Sequence, residues 1–117
     1  MGNIIHFEVT TPDVAGTAEF FASSFGWDLT ASPFLPGYLL AATGPGAGID
    51  GAIMSRDHQS QPVIAWLEVA DIASSLKAVI RNGGSVVNEV QELPGEGLVA
   101  YVTDPTGTLW GVKQPSR

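Results

Sequence analysis

The sequence has no cysteine and few basic residues, and both shortages exclude classes of function. Without cysteine the chain cannot form disulfides, use a thiolate nucleophile or bind a metal through thiolates, which is typical of a cytosolic protein. Five Lys and Arg residues stand against twelve acidic residues, which gives a formal net charge of -7. The five are scattered along the chain, so we expect no nucleic-acid-binding surface.

The chain also lacks any long hydrophobic run. No stretch approaches the roughly 20 apolar residues that a membrane-spanning helix needs, and the N-terminus has neither the basic start nor the apolar block of a signal peptide. We therefore expect a cytoplasmic protein with no membrane partner. With 117 residues, 44% of them hydrophobic, the chain has the usual size of one domain with its own core.

The first half of the chain opens with an alternating segment and continues into a helical one. Residues 4–9 have the period of two that predicts a strand. Asp13 is a good N-cap for the following helix, and Gly26 ends it. The apolar residues between them follow helical spacing and predict a buried stripe of Val14, Ala18, Phe21 and Phe25. Three further strands are expected at residues 27–32, 38–43 and 49–54.

The second half of the chain repeats this order. It predicts a strand at residues 63–69, a helix at residues 71–82 and strands at residues 85–90, 98–103 and 108–113. The helix is expected to bury Ile72, Leu76, Val79 and Ile80. Three landmarks of the first half recur at an offset of 58 residues: Asp13 as Asp71, Gly26 as Gly84, and Leu35-Pro36-Gly37 as Leu93-Pro94-Gly95. This period indicates a duplicated supersecondary unit.

The duplication predicts an α+β fold of two tandem βαβββ modules, which together form a single domain of residues 1–117. Module one would take up about residues 1–55, a polar linker residues 56–61, and module two about residues 62–117. Each sheet would bury one face under its helix and leave the opposite face open to a ligand. Two such open faces would enclose a cleft.

Polar and aromatic residues on the open strand faces are the candidate ligand-binding residues. His6 and Glu8 share the face of the first strand opposite its core side, and Trp66 and Glu68 take the equivalent places in the second half. Tyr101 is a further candidate, although the sequence does not fix its strand register. A buried carboxylate without partners is costly. The two glutamates therefore indicate either ligand recognition and acid-base chemistry or a contact with a neighbouring strand, solvent or a partner subunit.

Four segments carry a resemblance to a known family: HFEV at residues 6–9, Phe-Gly-Trp at residues 25–27, Gly-Ala-Ile-Met at residues 51–54, and DPTGTLWGV at residues 104–112. They resemble the glyoxalase, bleomycin resistance and dioxygenase (vicinal oxygen chelate) superfamily, and within it the short proteins related to lactoylglutathione lyase. The likeness covers nearly the whole chain. It implies paired βαβββ modules, a cupped mixed sheet around a ligand cavity, and usually a homodimer.

Enzymes of this superfamily hold a divalent metal on four side chains, and the resemblance assigns each of them a position. His6 matches the first ligand. The other positions fall near Gly51, on Ile64 and on Gly111, none of which can bind a metal. A single imidazole supplies neither the affinity nor the geometry of a catalytic site, which needs about three protein ligands. We therefore expect no metal cofactor, while a displaced site that uses Glu8 and Glu68 stays open.

These observations predict a small organic ligand bound in a metal-free cleft, with the reaction unassigned. Any catalysis would be acid-base chemistry by His6, Glu8 or Glu68, and a metal-dependent glyoxalase I activity is not expected. Two alternatives stay open. The first is a metal-dependent lyase, isomerase or dioxygenase with displaced ligands, which bound metal would favour. The second is a resistance protein that sequesters a cationic drug, which salt-sensitive binding without turnover would favour.

Overall fold

The strands and helices follow the order expected from the duplication, with one strand more than predicted. The computed structural model describes residues 2–116. Within this range the elements are β1 (Ile4–Thr11), α1 (Val14–Phe25), β2 (Asp28–Ala31), β3 (Leu39–Ala42), β4 (Gly51–Ser55), β5 (Val63–Glu68), α2 (Ile72–Arg81), β6 (Ser85–Val86), β7 (Gln91–Leu93), β8 (Gly97–Thr103) and β9 (Leu109–Pro115). Neither helix of this part of the chain is long and apolar enough to cross a membrane.

The described residues fall into two compact units. One comprises residues 6–64, and the other comprises residues 2–5 together with residues 65–116. The start of β1 therefore belongs to the unit that contains α2, and the start of β5 belongs to the unit that contains α1. The polar linker is part of the first of these units, because Thr10 N–H donates to Pro62 O at 2.9 Å and Thr10 Oγ1 donates to Gln61 O at 2.7 Å.

Within residues 6–64 the strands lie in the order β2-β3-β4-β1. β1 runs parallel to β4, and β3 is antiparallel to both β2 and β4. One face of this sheet carries an aromatic core, in which Trp27 stacks on Phe21 at 4.3 Å and meets Phe7 at 5.5 Å between ring centroids. Because Phe21 belongs to α1, this core joins the helix to the sheet.

In the unit that contains α2 the strand order is β5-β9-β8-β6, with β7 also paired to β8. β5 and β9 are parallel, whereas β8 is antiparallel to each of its neighbours. The core of this unit is formed by Ile72, Ala100, Val102 and Val112, with Leu76, Val79 and Trp110 packed against them. Each unit thus combines one helix with a mixed sheet, and the predicted α+β fold class is confirmed.

Both predicted helix N-caps are present. Asp13 Oδ1 accepts a hydrogen bond from Gly16 N–H at 3.0 Å, and Asp71 Oδ1 accepts one from Ala73 N–H at 3.1 Å. These bonds satisfy backbone donors that have no partner inside a helix. A Cβ on Gly16 would overlap the Asp13 carboxylate. The glycine in the first turn of α1 therefore leaves room for the cap.

The internal repeat extends to the two Leu-Pro-Gly turns. Gly37 and Gly95 have positive φ angles of 72° and 77°, a conformation that glycine adopts without steric cost. In each turn the residue after the glycine donates its N–H to the leucine carbonyl three positions earlier, at 3.3 Å in the first turn and 2.9 Å in the second. The two halves therefore share turn geometry as well as sequence.

The predicted strand at residues 85–90 is wrong in its extent, because only Ser85–Val86 forms a strand (β6), and the next strand, β7, begins at Gln91, beyond the predicted range. Asn88 lies between these two strands, and its side-chain Oδ1 accepts the Tyr101 N–H at 2.9 Å. Val87 N–H still donates to Tyr101 O at 2.9 Å. The Asn88 side chain thus replaces a backbone carbonyl in the ladder, and the chain leaves the sheet before it returns as β7.

Two residues that helical spacing placed in buried stripes are exposed. Phe25, the last residue of α1, is 65% exposed, and Ile80, near the end of α2, is 60% exposed. Phe25 instead meets the rings of Phe20 and Phe21, each at 6.1 Å. Ile72 in the first turn of α2 is buried as predicted. The helical spacing of apolar residues therefore identified the apolar stripe of each helix, but it overestimated how far along the helix this stripe is buried.

Candidate functional site

The predicted open face of β1 carries a buried carboxylate. Glu8 is 3% exposed. It is in register with Ala52 of β4, and Ala52 is in register with Leu40 of β3, so the three side chains share one sheet face. Phe7 faces the opposite side, toward the aromatic core. The alternation predicted for the first strand is therefore observed.

Tyr38 connects Glu8 to His6. The Tyr38 hydroxyl donates to Glu8 Oε2 at 2.8 Å and lies 3.1 Å from His6 Nε2. A hydroxyl has one proton, and here the Glu8 carboxylate accepts it. His6 Nε2 is then the donor in its contact with the Tyr38 oxygen. We call this continuous hydrogen-bonded path from His6 through Tyr38 to Glu8 the His6 relay.

His6 also lines a cavity of about 300 Å³ within residues 6–64. This volume is at the lower end of the roughly 300–1,000 Å³ typical of small-molecule sites. Asp50, which lines this cavity, is held in place, because its Oδ1 accepts the Thr43 N–H at 3.0 Å. The lining is polar at four positions and nonpolar elsewhere: His6, Asp28, Thr30 and Asp50, with Leu40, Ala41, Ala42 and Gly51. We call this space the His6 cavity.

The other positions that the resemblance assigns to metal ligands are filled by the protein itself. Ile64 is completely buried. A Cβ on Gly111 would overlap the Trp66 indole, and one on Gly51 would overlap the ring and the carbonyl of Phe7. Across residues 2–116 no three His, Asp or Glu side chains are arranged to hold a metal ion. The residues present therefore do not fit the metal that the resemblance implies.

The three remaining ligand-binding candidates lie in the unit that contains α2. Trp66 and Tyr101 are both in register with Gly111, and their ring centroids are 5.0 Å apart at an interplanar angle of 59°. This register fixes the face that Tyr101 occupies. Glu68 is partly buried on the same face, in register with Lys113. A ligand contact by Trp66, Glu68 and Tyr101 stays a prediction.

A second cavity of about 450 Å³ lies in the same unit and has mostly apolar walls, which include Leu67, Val79 and Trp110. None of the five predicted ligand-binding residues lines it. Its charged residue is Asp104, whose Oδ2 accepts the Trp110 Nε1–H at 3.1 Å. Hydrogen bonds, first from the Thr106 hydroxyl and then from Trp110, lower the pKa of Asp104 from 3.8 to about 2. Asp104 is thus a structural carboxylate of the β8-β9 turn.

Tyr38 is the residue that the sequence did not single out, because it stands at the start of an apolar segment predicted as a strand. A signal was nevertheless available in the repeat. At the same offset of 58 residues Tyr38 aligns with Glu96, which also follows a Leu-Pro-Gly turn. Glu96 likewise reaches a polar partner, since its Oε1 lies 3.5 Å from Lys113 Nζ. A polar side chain directly after the turn in both halves marks this position.

Comparison with known proteins gives sequence matches along nearly the whole chain. The model of the Glyoxalase/Bleomycin resistance protein/Dioxygenase superfamily matches residues 3–112. The candidate glyoxylase CFP32 of Mycobacterium tuberculosis is 26% identical over 117 residues, which cover 94% of this chain and 44% of CFP32. Anthracycline biosynthesis protein DauV of Streptomyces sp. (strain C5) is 28% identical over 131 residues, with 91% and 44% coverage. The chain thus spans less than half the length of these relatives.

Solved structures share the fold at lower sequence identity. Methylmalonyl-CoA epimerase from Mycobacterium tuberculosis has a TM-score of 0.74 and 16% identity, covering 99% of this chain and 89% of the epimerase. A glyoxalase/bleomycin resistance protein/dioxygenase superfamily member from Vibrio splendidus 12B01 has a TM-score of 0.71 and 15% identity, covering 99% of this chain and 100% of that protein. Likenesses at this identity establish the fold and leave the reaction open.

Proposed function

We propose, from the premise that this chain belongs to the Glyoxalase/Bleomycin resistance protein/Dioxygenase superfamily, that it binds a small organic molecule in the His6 cavity without a metal ion. The polar contacts would come from His6, Asp28, Thr30 and Asp50, all of which line this space. The names of similar proteins support a small-molecule role, since they refer to a glyoxylase, to anthracycline biosynthesis and to an epimerase of methylmalonyl-CoA.

The His6 relay is the observation that carries this proposal. Glu8 is almost fully buried, and the Tyr38 hydroxyl offsets part of the cost, since a hydrogen bond to a charged group contributes roughly 1.5–3 kcal/mol. Apolar residues often replace buried charges without loss of stability. Stability alone therefore gives little reason for a glutamate here. The relay includes a histidine that lines a cavity, which supports a role in ligand binding.

A thermal-shift screen with a library of small organic molecules, followed by calorimetric titration of the hits, tests this function. Ligands that bind the native state raise the melting temperature according to their concentration and affinity. We expect His6→Asn to weaken binding of the hits by tenfold or more. His58→Asn is the matched control, because His58 is the other histidine of the chain and is exposed in the linker.

Hits that bind His6→Asn and the unchanged protein equally well would contradict binding in the His6 cavity. The metal-free part of the proposal has its own measurement, which is elemental analysis of protein purified without chelators. We expect less than about one tenth of a metal ion per chain. Zinc, nickel, iron or manganese at one per chain would instead support the metal-dependent alternative with displaced ligands.

A second candidate function is sequestration of a cationic drug, and the charge distribution favours it. Residues 6–64 contain six acidic residues and one basic residue, Arg56, so this unit carries a net charge of 1 - 6 = -5. Asp28 and Asp50 bring two of these charges to the His6 cavity. A cationic aromatic drug such as an anthracycline should bind several-fold more weakly as sodium chloride rises, and it should be recovered unchanged.

We also propose that the chain forms a homodimer, as the superfamily resemblance implies. Phe20 and Phe25 support this proposal, because they are 55% and 65% exposed and lie in ring contact on α1. Contiguous apolar surface of this kind is a common feature of protein-protein interfaces. A second copy of the chain is the partner that the superfamily implies for such a surface.

A further inference from the structure

We propose that the cavity of about 450 Å³ beside α2 is a second binding site, which takes an aromatic molecule of one or two rings without negative charge. We call it the Trp110 cavity, because Trp110 is the aromatic residue of a wall that also includes Leu67 and Val79. Its volume is typical of small-molecule sites, and it shares no lining residue with the His6 cavity. Binding here would therefore not depend on the function proposed above.

The internal repeat explains why the unit that contains α2 has this cavity. In residues 6–64 three rings fill the space between the helix and its sheet, those of Phe7, Phe21 and Trp27. The equivalent positions of the other unit carry smaller side chains, which are Leu67, Val79 and Ser85. Val79 and Ser85 follow their counterparts at the offset of 58 residues, and Leu67 begins a Leu-Glu-Val segment where Phe7 begins Phe-Glu-Val. Leu67 and Val79 line the cavity, and Ser85 is exposed.

The first unit also indicates which chemistry suits such a space. There Trp27 stacks on Phe21 with 4.3 Å between ring centroids and an interplanar angle of 11°. In the Trp110 cavity the indole of Trp110 is held in place, because its Nε1–H donates to Asp104 Oδ2 at 3.1 Å. A fixed ring surface favours stacking of a further ring, since little freedom is lost on binding. An aromatic ligand would thus make the kind of contact that the first unit makes internally.

The charge of the cavity wall disfavours anions. Asp104 lines the cavity, and hydrogen bonds, first from the Thr106 hydroxyl and then from Trp110, lower the pKa of this carboxyl to about 2. It is therefore ionised at neutral pH. Among the described residues that line the cavity there is no Lys, Arg or His. An anionic ligand would meet a negative charge without gaining a positive partner.

The cavity is open to solvent, and an apolar ring would gain by entering it. Ile4, Asn82 and Pro105 line it and are exposed, with Ile4 at 49%. The Asn82 amide already donates from Nδ2 to Ala78 O at 2.8 Å. Water beside the mostly apolar walls therefore finds few partners, and its replacement by an apolar group favours binding. Covering the Ile4 side chain adds to this gain.

Nuclear magnetic resonance of protein with ¹⁵N-labelled tryptophan tests the site, with unlabelled indole as the probe. The chain has three tryptophans, and Trp110→Phe identifies the signal of Trp110. Indole should shift the Trp110 Nε1–H signal with half-saturation at roughly 1 mM or below. The Trp27 signal is the internal control and should stay in place, because Phe7 and Phe21 already surround this ring.

Indole-3-carboxylate tests the charge preference with the same ring system. It is an anion at pH 7, and it should need a concentration at least tenfold higher than indole for an equal shift of the Trp110 signal. No shift with about 5 mM indole would overturn the site. An equal or stronger response to indole-3-carboxylate would overturn the ligand class.

Two substitutions test whether the probe occupies the space that the first unit fills with rings. Leu67→Phe and Val79→Phe each place a phenyl group of the first unit at the equivalent position, so each should weaken indole binding by tenfold or more. Val87→Phe is the matched control, because Val87 is 46% exposed and does not line the cavity. Either filling variant decides the matter if the other does not fold. A folded filling variant that binds indole as well as Val87→Phe does would overturn the site.

The competing occupant is a side chain from a second copy of the chain. Sedimentation velocity distinguishes it, since the sedimentation coefficient should be the same for the original protein, for Leu67→Phe and for protein with indole. A dimer that Leu67→Phe or indole converts to monomer would show that a second copy fills the cavity. That result would overturn its assignment to a small molecule.

Discussion

At the scale of single residues, two glycines lie at positions where any side chain would overlap an aromatic ring. The Trp66 indole occupies the position of a side chain on residue 111, and Phe7 occupies that of residue 51. Both positions match metal ligands of the superfamily. From the sequence it was clear that glycine cannot bind a metal, but the aromatic replacement depends on strand register, which sequence alone leaves open.

Gly111→Ala should lower the free energy of unfolding by about 1–3 kcal/mol, because the added Cβ overlaps a buried ring that cannot move without displacing its neighbours. Trp66 is 7% exposed and its ring centroid lies 5.0 Å from that of Tyr101, so a shift of the indole would disturb this contact. Urea denaturation followed by circular dichroism measures the change.

Gly48→Ala is the matched control for this substitution. A Cβ on Gly48 would lie 3.7 Å from Thr43 Oγ1, an ordinary contact distance. The free energy of unfolding should therefore stay within about 0.5 kcal/mol of the original value. Equal losses in the two variants would show that the Trp66 ring is not the cause.

Candidate site residues could be predicted only in part at this scale. Alternation along the first strand placed His6 and Glu8 on one face, and the buried Glu8 side chain lies there. Tyr38 was not predicted, because the direction of its side chain is set by the turn at Gly37 and by pairing between distant strands. Hydrogen bonds between residues about 30 positions apart leave no periodic signal in a sequence.

At the scale of secondary-structure elements, two residues at the N-terminus of α1 have opposing effects on the stability of the helix. Asp13 caps the helix, whereas Gly16 lowers helix propensity but leaves room for the capping carboxylate. The two effects are therefore coupled. Substituting either residue changes what the other contributes to stability.

Asp13→Ala should destabilise the protein by about 1 kcal/mol through loss of the cap. In that background Gly16→Ala should restore up to about 1 kcal/mol, because alanine is the better helix former and no carboxylate obstructs it. In the original protein the same Gly16→Ala change should gain clearly less. A double-mutant cycle measured by thermal unfolding gives the coupling, and additive effects would contradict the steric account.

In the turn between β8 and β9, Asp104 Oδ1 accepts hydrogen bonds from the N–H groups of Thr106 and Thr108. Because the folded-state pKa is lowered from 3.8 to about 2, the carboxylate stabilises the fold fully above pH 3.8, and this contribution is lost as the pH falls toward 2. Asp104→Asn should therefore have a lower urea midpoint than the original protein at pH 7. The difference should shrink between pH 4 and pH 2.

Urea titrations at pH 7, 4, 3 and 2 check this dependence. Asp57→Asn in the exposed linker gives the baseline for loss of one carboxylate from an acidic protein. A difference between Asp104→Asn and the original protein that is constant from pH 7 to pH 2 would mean that ionisation of Asp104 does not support the turn.

Element types were predictable, and element ends were less so. Both helices begin at their predicted Asp caps, since capping is a local property of a few residues. The break between β6 and β7 was not predicted, because it depends on a hydrogen bond from Tyr101 to the side chain of Asn88. Exposure of Phe25 and Ile80 was missed for a similar reason, since spacing does not show where the covering sheet stops.

At the scale of the whole molecule, the homodimer is the prediction to test. Sedimentation velocity at tens of micromolar should give twice the chain mass. Phe25→Ser should weaken association by tenfold or more, because it removes apolar surface from the exposed ring pair with Phe20. Phe34→Ser is the matched control, since Phe34 is equally exposed at 65%. A monomer at this concentration would contradict the dimer.

The starts of β1 and β5 belong to different compact units from the rest of these strands, and this affects how proteolysis would divide the chain. The sequence repeats across the linker at residues 56–61, but the compact units change over inside β1 and β5, after Ile5 and after Ile64. A protease that cleaves at exposed Arg56 would nick the protein without separating two complete folding units, because each fragment keeps a few residues that belong to the other. The boundary between the two repeated segments of the sequence therefore does not coincide with the boundaries between the two compact units.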